Sequence, residues 1–212
     1  MRLVTTRRLV LGLAGIAAVH PLLCGRALAD ATPGSVVGLS GQCLVERQGH
    51  STPLKLGDAV LVSDTVVVPA EGKLKLRMED GSVISLASGT RVTISAYQAD
   101  ESGQRQNAQL SLSEGLLRAV VAPVDHPANF EVSTAVGTAG VRSTDWFVEA
   151  KSGSMQVGVL AGSVSLTSAA TGRSVTIPKR WGARLEVGRD PVPARVWSPE
   201  EFQAVVSRTN LP

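Results

Sequence analysis

The segment from Phe130 to Leu166, FEVSTAVGTAGVRSTDWFVEAKSGSMQVGVLAGSVSL, leaves few folds open to this chain. Two alternating, β-branched runs, Val141 to Glu149 and Met155 to Leu160, flank the turn residues Lys151-Ser152-Gly153-Ser154. Alternation with a period of two puts successive side chains on opposite faces of a strand, and Gly/Ser clusters end it. Ahead of the first run, Ala135 to Gly140 holds too much glycine for a stable helix. No catalytic side chain sits at a recognisable spacing within the segment. It reads as a folding and contact element.

The rest of the chain has the same texture. Aromatic residues make up only 3% and glycine numbers 21, so short runs rich in Val, Leu, Ser and Thr are separated by turn residues. This predicts an all-β fold. Strands are expected over Val36 to Arg47, broken by Gly38 and Gly41, and over Leu61 to Val68. Leu74, Leu76 and Met78 then lead into a hairpin at Glu79-Asp80-Gly81-Ser82, with Ile84 and Leu86 leaving it. An Asp-Gly pair between alternating runs is the strongest short-range hairpin signal. Gln98 to Gln109, QADESGQRQNAQ, has no apolar residue of consequence and is expected to be a mobile surface loop. Leu110, Leu112, Leu116 and Val120 open the second half, and Ser174 to Ile177 and Ala183 to Val187 add two strands. Gly-Ser pairs before apolar runs at Gly34, Gly81 and Gly162 leave a sandwich, a β-roll or a solenoid open.

The two ends differ from the middle. Arg2, Arg7 and Arg8 precede an apolar run from Leu9 to Val19, and Ala27-Leu28-Ala29 supplies the small residues of a cleavage site. That order is a secretory signal, and the run is too short to span a bilayer. Thr6-Arg7-Arg8-Leu9-Val10-Leu11 resembles a twin-arginine signal, while an ordinary Sec signal fits the same residues. Leu23 stands where a lipoprotein site needs a small residue, so no lipid anchor is expected. The expected division is a signal peptide over 1–29, a β domain over 30–190 and a tail with a short helix over 191–212. In the tail Ser198 can cap, Pro199 suits the first helical position and Glu201 lies three beyond the cap. Phe202, Val205 and Val206 would give the helix one short apolar face, for the parent sheet or for a partner.

Removing the signal changes the charge. Of 21 Lys and Arg, Arg2, Arg7, Arg8 and Arg26 leave with residues 1–29, so 17 remain against 18 acidic residues, a net of −1. The pI of 9.2 belongs largely to the removed segment. No basic face argues for nucleic acid. Cys24 also leaves, so Cys43 stands alone, no intramolecular disulfide forms, and Cys43 is expected as a small buried hydrophobe.

Candidate sites are few. His50 and His126 sit in turns beside Gly49 and Pro127, without a nucleophile elbow or a third metal ligand at a usable spacing. No catalytic residue, metal site or cofactor is expected. Glu79-Asp80-Gly81 lacks the alternating acid ladder of a calcium loop and reads as a turn. Arg142 and Trp146 would share one strand face, with Asp145, Val141 and Phe147 on the other. They make a candidate partner contact, since Arg and Trp are enriched at binding hot spots. The competing reading puts Trp146 in the core and pairs Arg142 with a carboxylate between strands.

In order and spacing these residues resemble the FecR domain of bacterial cell-envelope proteins. The likeness runs through Leu56-Gly57-Asp58, Thr65, Leu74-Lys75-Leu76 and Glu79-Asp80-Gly81-Ser82-Val83-Ile84-Ser85-Leu86. It continues in Leu112-Ser113-Glu114-Gly115-Leu116-Leu117, Val136-Gly137, Val141-Arg142-Ser143-Thr144-Asp145-Trp146-Phe147-Val148 and Val159-Leu160-Ala161-Gly162-Ser163-Val164. It spans roughly Val36 to Val187. The resemblance implies a periplasmic all-β domain and, in the family's namesake, a sensor relaying an outer-membrane signal to a sigma factor. Two departures stand out: Ser143 replaces the common Gly, and a cleavable signal stands where the sensor has an anti-sigma segment and a membrane helix. The expectation is therefore a non-enzymatic periplasmic or secreted module contacting an envelope protein or a cell-wall glycan. The alternative is a soluble sensor component read by a membrane-bound signalling partner.

Overall fold

The computed structural model describes residues 32–211, so the expected signal peptide lies outside the described residues. The strands run β1 (Gly34–Ser40), β2 (Leu44–Arg47), β3 (His50–Pro53), β4 (Ala59–Val60), β5 (Thr65–Val68) and β6 (Lys73–Met78). Next come β7 (Val83–Leu86), β8 (Thr90–Ala99), the long β9 (Arg105–Val120), β10 (Asn129–Ser133), β11 (Gly137–Val141) and β12 (Asp145–Lys151). β13 (Ser154–Ala161), β14 (Ser163–Ser168), β15 (Ser174–Pro178), β16 (Trp181–Glu186), β17 (Arg195–Val196) and α1 (Pro199–Thr209) complete the chain. The fold is all-β with one short C-terminal helix, as the turn chemistry predicts.

Two sheets share β9. The first has the order β4-β1-β6-β7-β9-β12-β13-β16-β17. The second has the order β3-β2-β5-β8-β9-β10-β11-β14-β15. All pairings are antiparallel except β9 with β10. β9 crosses between the sheets at Gly115, where φ is +97°. A side chain there would collide with the Thr90 backbone, so glycine sets the bend. Thr90 Oγ1 secures it by accepting from Leu116 N (3.1 Å) and donating to Leu116 O (3.2 Å).

One hydrophobic cluster fills the space between the sheets, with Leu112, Val132 and Leu166 from the second and Leu117, Val148 and Val157 from the first. The outer faces differ. On the second sheet a single register row carries Thr93, Ser111, Ser133, Thr138, Thr167 and Ser174, giving a polar, solvated face. On the first sheet Leu116 and Phe147 point outward and are covered by α1 with Trp197, Phe202 and Val205. The rings of Phe147, Trp197 and Phe202 lie 5.4 to 6.3 Å apart at tilted or edge-on angles. Because both faces of the first sheet are covered, β12 is buried from Trp146 to Ala150.

α1 begins as expected. Ser198 Oγ accepts from Glu201 N (3.3 Å), and the Glu201 carboxylate accepts from Ser198 N (2.9 Å). Arg195 donates both guanidinium arms to the same carboxylate, at 3.1 and 2.6 Å. At the other end Lys73 Nζ donates to Asn210 O (2.7 Å), and Arg208 pairs with the buried Glu149 (2.9 Å).

The first expected strand is broken at Gly41 as predicted, a φ of +73° there turning the chain between β1 and β2. Two expectations change. The expected strand from Leu61 starts later because Asp64, fully buried, accepts from Leu61 N (2.7 Å) and from Nε and Nη2 of Arg47, folding 61–64 into a turn. The supposed mobile loop 98–109 is mostly β8 and β9, its turn confined to 100–104. Apart from the buried Arg105, its polar side chains face the solvated side of the second sheet, which an absence of apolar residues cannot distinguish from a loop. Cys43 is buried as expected, its thiol directed at the carbonyls of Ser40 and Lys73.

Candidate binding site

Among the described residues, the links that cross between the sheets combine a cleft, a fixed backbone and a charge, that of Arg142, with no ion-pair partner. Residues 142–144 carry the chain from β11 in the second sheet to β12 in the first. Beneath them lies Arg105, whose side chain is 0% exposed. It pairs with Asp80, donates to Ser82 Oγ (3.2 Å), and reaches the carbonyls of Ala122 (3.4 Å) and Arg142 (3.0 Å). Its guanidinium carbon lies 5.6 Å from the centre of the Phe130 ring. Ser82 Oγ donates to Asp80 (2.8 Å) and accepts from Ala122 N (2.9 Å). One buried guanidinium thus ties the β6–β7 turn, the start of β9 and both crossing links together.

Tyr97 joins the same cluster, its hydroxyl accepting from Asp80 N at 3.0 Å. Burial first, and then the neighbouring Asp80 charge, push the phenol up to about 12. The crossing link is pinned from its other side as well. Val121 N donates to Thr144 O (3.0 Å), and Thr144 Oγ1 donates to Ser163 O (3.2 Å). Gly162, at φ +84°, lets this happen: a Cβ would stand 2.8 Å from Ser143 O and from Thr144 Oγ1.

Above the pinned link, a cleft of about 430 Å³ opens on the polar face of the second sheet. Its sides present Asn129, Glu131, Arg142, Ser143, Ser165 and Thr176, and Gly140 leaves its floor without a side chain. Glu131, Gly140, Ser165 and Thr176 lie in one register row. A second hollow of about 330 Å³ lies on the far side of Arg142 and Ser143, beside Asp125 and His126. The Arg142–Ser143 ridge therefore stands between two polar depressions. No group of three or more His, Cys, Asp or Glu side chains converges to hold a metal among the described residues.

The structure separates the two sequence candidates. Arg142 is exposed, while Trp146 is 0% exposed within the core. The break between β11 and β12, with a register shift at Asp145/Trp146, resets the alternation expected to put them on one face. Asp145 is taken by Arg118 through two bonds of 2.9 and 2.8 Å. His50 is exposed, and His126 lies 3.4 Å from Asp100. Sequence reasoning missed Arg105 altogether. Its only signal was an arginine inside a polar stretch, and its partner Asp80 was legible as a turn residue but not as a buried charge.

Residues 64–165 match the family model of the FecR protein. The match ends inside β14, while β1 to β4 and β15 to β17 complete the same two sheets. Two crystal structures of a protein from Parabacteroides distasonis ATCC 8503, described as a "putative anti-sigma factor", share the fold. Each superposes with a TM-score of 0.56 at 16% identity over 67% of this chain. The chain spans less than two thirds of that protein, 64% in one structure and 63% in the other. No curated protein sequence matches the chain. Among the described residues no helix is long and apolar enough to cross a membrane.

Proposed function

We propose that this chain is a non-enzymatic, exported binding module that contacts an envelope protein or a cell-wall glycan through the cleft beside Arg142. The carrying observation is the contrast between a rigid floor and an uncommitted rim. Arg105 with Asp80, and Arg118 with Asp145, spend their charges on one another inside the fold. Arg142 instead projects from a link whose carbonyl Arg105 holds in place. A side chain on a fixed backbone binds with less ordering cost than one on a loose loop. The charge balance and N-terminal residues favour a periplasmic or secreted site of action.

A second reading, a soluble sensor component of a signalling system, is favoured by the FecR match and by the likeness to structures described as anti-sigma factors. A photo-crosslinking residue at position 142 in the exported protein tests both. A wall fragment or secretion component in the adduct supports the scaffold role; a receptor or kinase supports the sensor role. No adduct, or an adduct unchanged when Gly140→Trp fills the cleft, rejects the cleft as the contact.

A further inference from the structure

We infer that the free edge of β15 docks an extended, acidic-ended segment of a partner protein, which joins the second sheet as an additional strand. This deepens the binding-module reading and rests on it, but it uses a different surface from the cleft.

β15 is a margin of the second sheet, paired with β14 and with no other strand among the described residues. Bonded and non-bonded residue pairs alternate along an antiparallel ladder. Ser168 N donates to Arg173 O at 2.9 Å, which assigns that pair to the bonded set. Leu166/Val175 and Val164/Ile177 therefore belong to it as well. The intervening pairs Thr167/Ser174, Ser165/Thr176 and Ser163/Pro178 are non-bonded, so Ser174 and Thr176 direct both backbone groups away from β14. Pro178 directs only a carbonyl outward. The 2.8 Å approach of Thr167 Oγ1 to Ser174 Oγ agrees, since side chains stand closer in non-bonded pairs.

Edge strands are ordinarily blunted by charge, proline or a bulge. β15 carries no charge from Ser174 to Ile177, and Ser174 and Thr176 are exposed. The charges lie at its ends instead, Arg173 before it and Lys179 and Arg180 after it, all exposed. Arg173 pairs with Asp190 at 3.5 Å yet stays 78% exposed, so a second carboxylate can reach its guanidinium. Antiparallel pairing with a second copy, centred on Thr176, would set Arg173 against Lys179 at both ends. Opposed like charges disfavour that dimer. A strand with Asp or Glu at both ends gains the same main-chain bonds and complements the charges.

Amide exchange on the isotope-labelled full-length mature chain tests this with two synthetic peptides, EVTVTVE and KVTVTVK. The acidic-ended peptide is expected to slow exchange at Ser174 and Thr176 and to bind about fivefold tighter than the lysine-ended one, as two exposed ion pairs allow. Thr176→Pro removes an outward N–H and no bond to β14, and should abolish peptide binding. Should that variant fail to fold, Arg173→Glu combined with Lys179→Glu must reverse the peptide preference. Equal binding of both peptides, protection at β3 instead, or self-association through β15 in sedimentation overturns the proposal. The crosslink at position 142 reports the cleft separately, so the failure of one surface does not carry over to the other.

Discussion

Arg105 and Asp80 pair across 25 positions of sequence with 0% and 1% of their side chains exposed. Two charges so placed are stable only while each has the other, because a lone buried charge has neither water nor a partner. Nη1 of Arg105 also donates to Ser82 Oγ and Nη2 reaches the carbonyls of Ala122 and Arg142, which makes the pair the junction of both crossing links.

Arg105→Ala should therefore cost about 3–5 kcal/mol in urea unfolding, the range for breaking a buried pair. Replacing both partners by apolar residues, Arg105→Met with Asp80→Leu, should recover much of that loss. A single variant that costs less than about 1 kcal/mol, within the range of exposed ion pairs, would show that water reaches the pair.

Much of the fold was legible because turn chemistry is local. The Asp80-Gly81 hairpin, the Lys151–Ser154 turn and the capping box at Ser198 all rest on residues within a few positions of one another. Arg105 was not legible, because its meaning depends on Asp80, Ala122 and Arg142, three distant segments. The same holds for Arg142 and Trp146: alternation is valid only along an unbroken strand, and the chain changes sheets between them. The polar face of the second sheet hid the adjoining ends of β8 and β9 for a related reason. One solvated face and small inward residues such as Ala108 leave little hydrophobic pattern to read.

The two glycines beside the cleft should respond unequally to alanine. Gly162→Ala places a Cβ at positive φ against Ser143 O and Thr144 Oγ1, and should lower stability by about 1–3 kcal/mol. At Gly140 a Cβ meets only Glu131 Cγ, at 3.7 Å, so Gly140→Ala should stay within about 0.5 kcal/mol. Thermal unfolding of both variants checks this. Equal losses would mean that the crossing link is not pinned at Gly162.

Phe202 should report on the covering of the first sheet. Its ring meets Phe147 edge-on at 6.3 Å and Trp197 at 5.4 Å, yet the residue is only half-buried. Phe202→Ala should cost about 2 kcal/mol, below the 3–5 kcal/mol of a fully buried phenylalanine. It should also raise amide exchange in α1 while leaving β12 protected. Loss of protection in β12 as well would mean that the helix is integral to the sheet.

The attachment of α1 should weaken in acid through Glu201. The Arg195 guanidinium first, and then the Ser198 amide, lower its carboxyl from 4.5 to about 2. A carboxyl with a depressed folded value contributes stability that is fully present above its unfolded value and is lost as pH falls toward the folded one. The contribution is thus complete above roughly pH 4.5, declines between there and about pH 2, and is absent below. Exchange of the α1 amides should accelerate across that window while amides in β12 stay protected. Glu201→Gln keeps an acceptor for Ser198 N but removes the titrating charge, so its α1 exchange should lose that added acid sensitivity. Identical acid profiles for the two proteins would place the sensitivity elsewhere, with the partly buried Glu149–Arg208 pair the next group to replace.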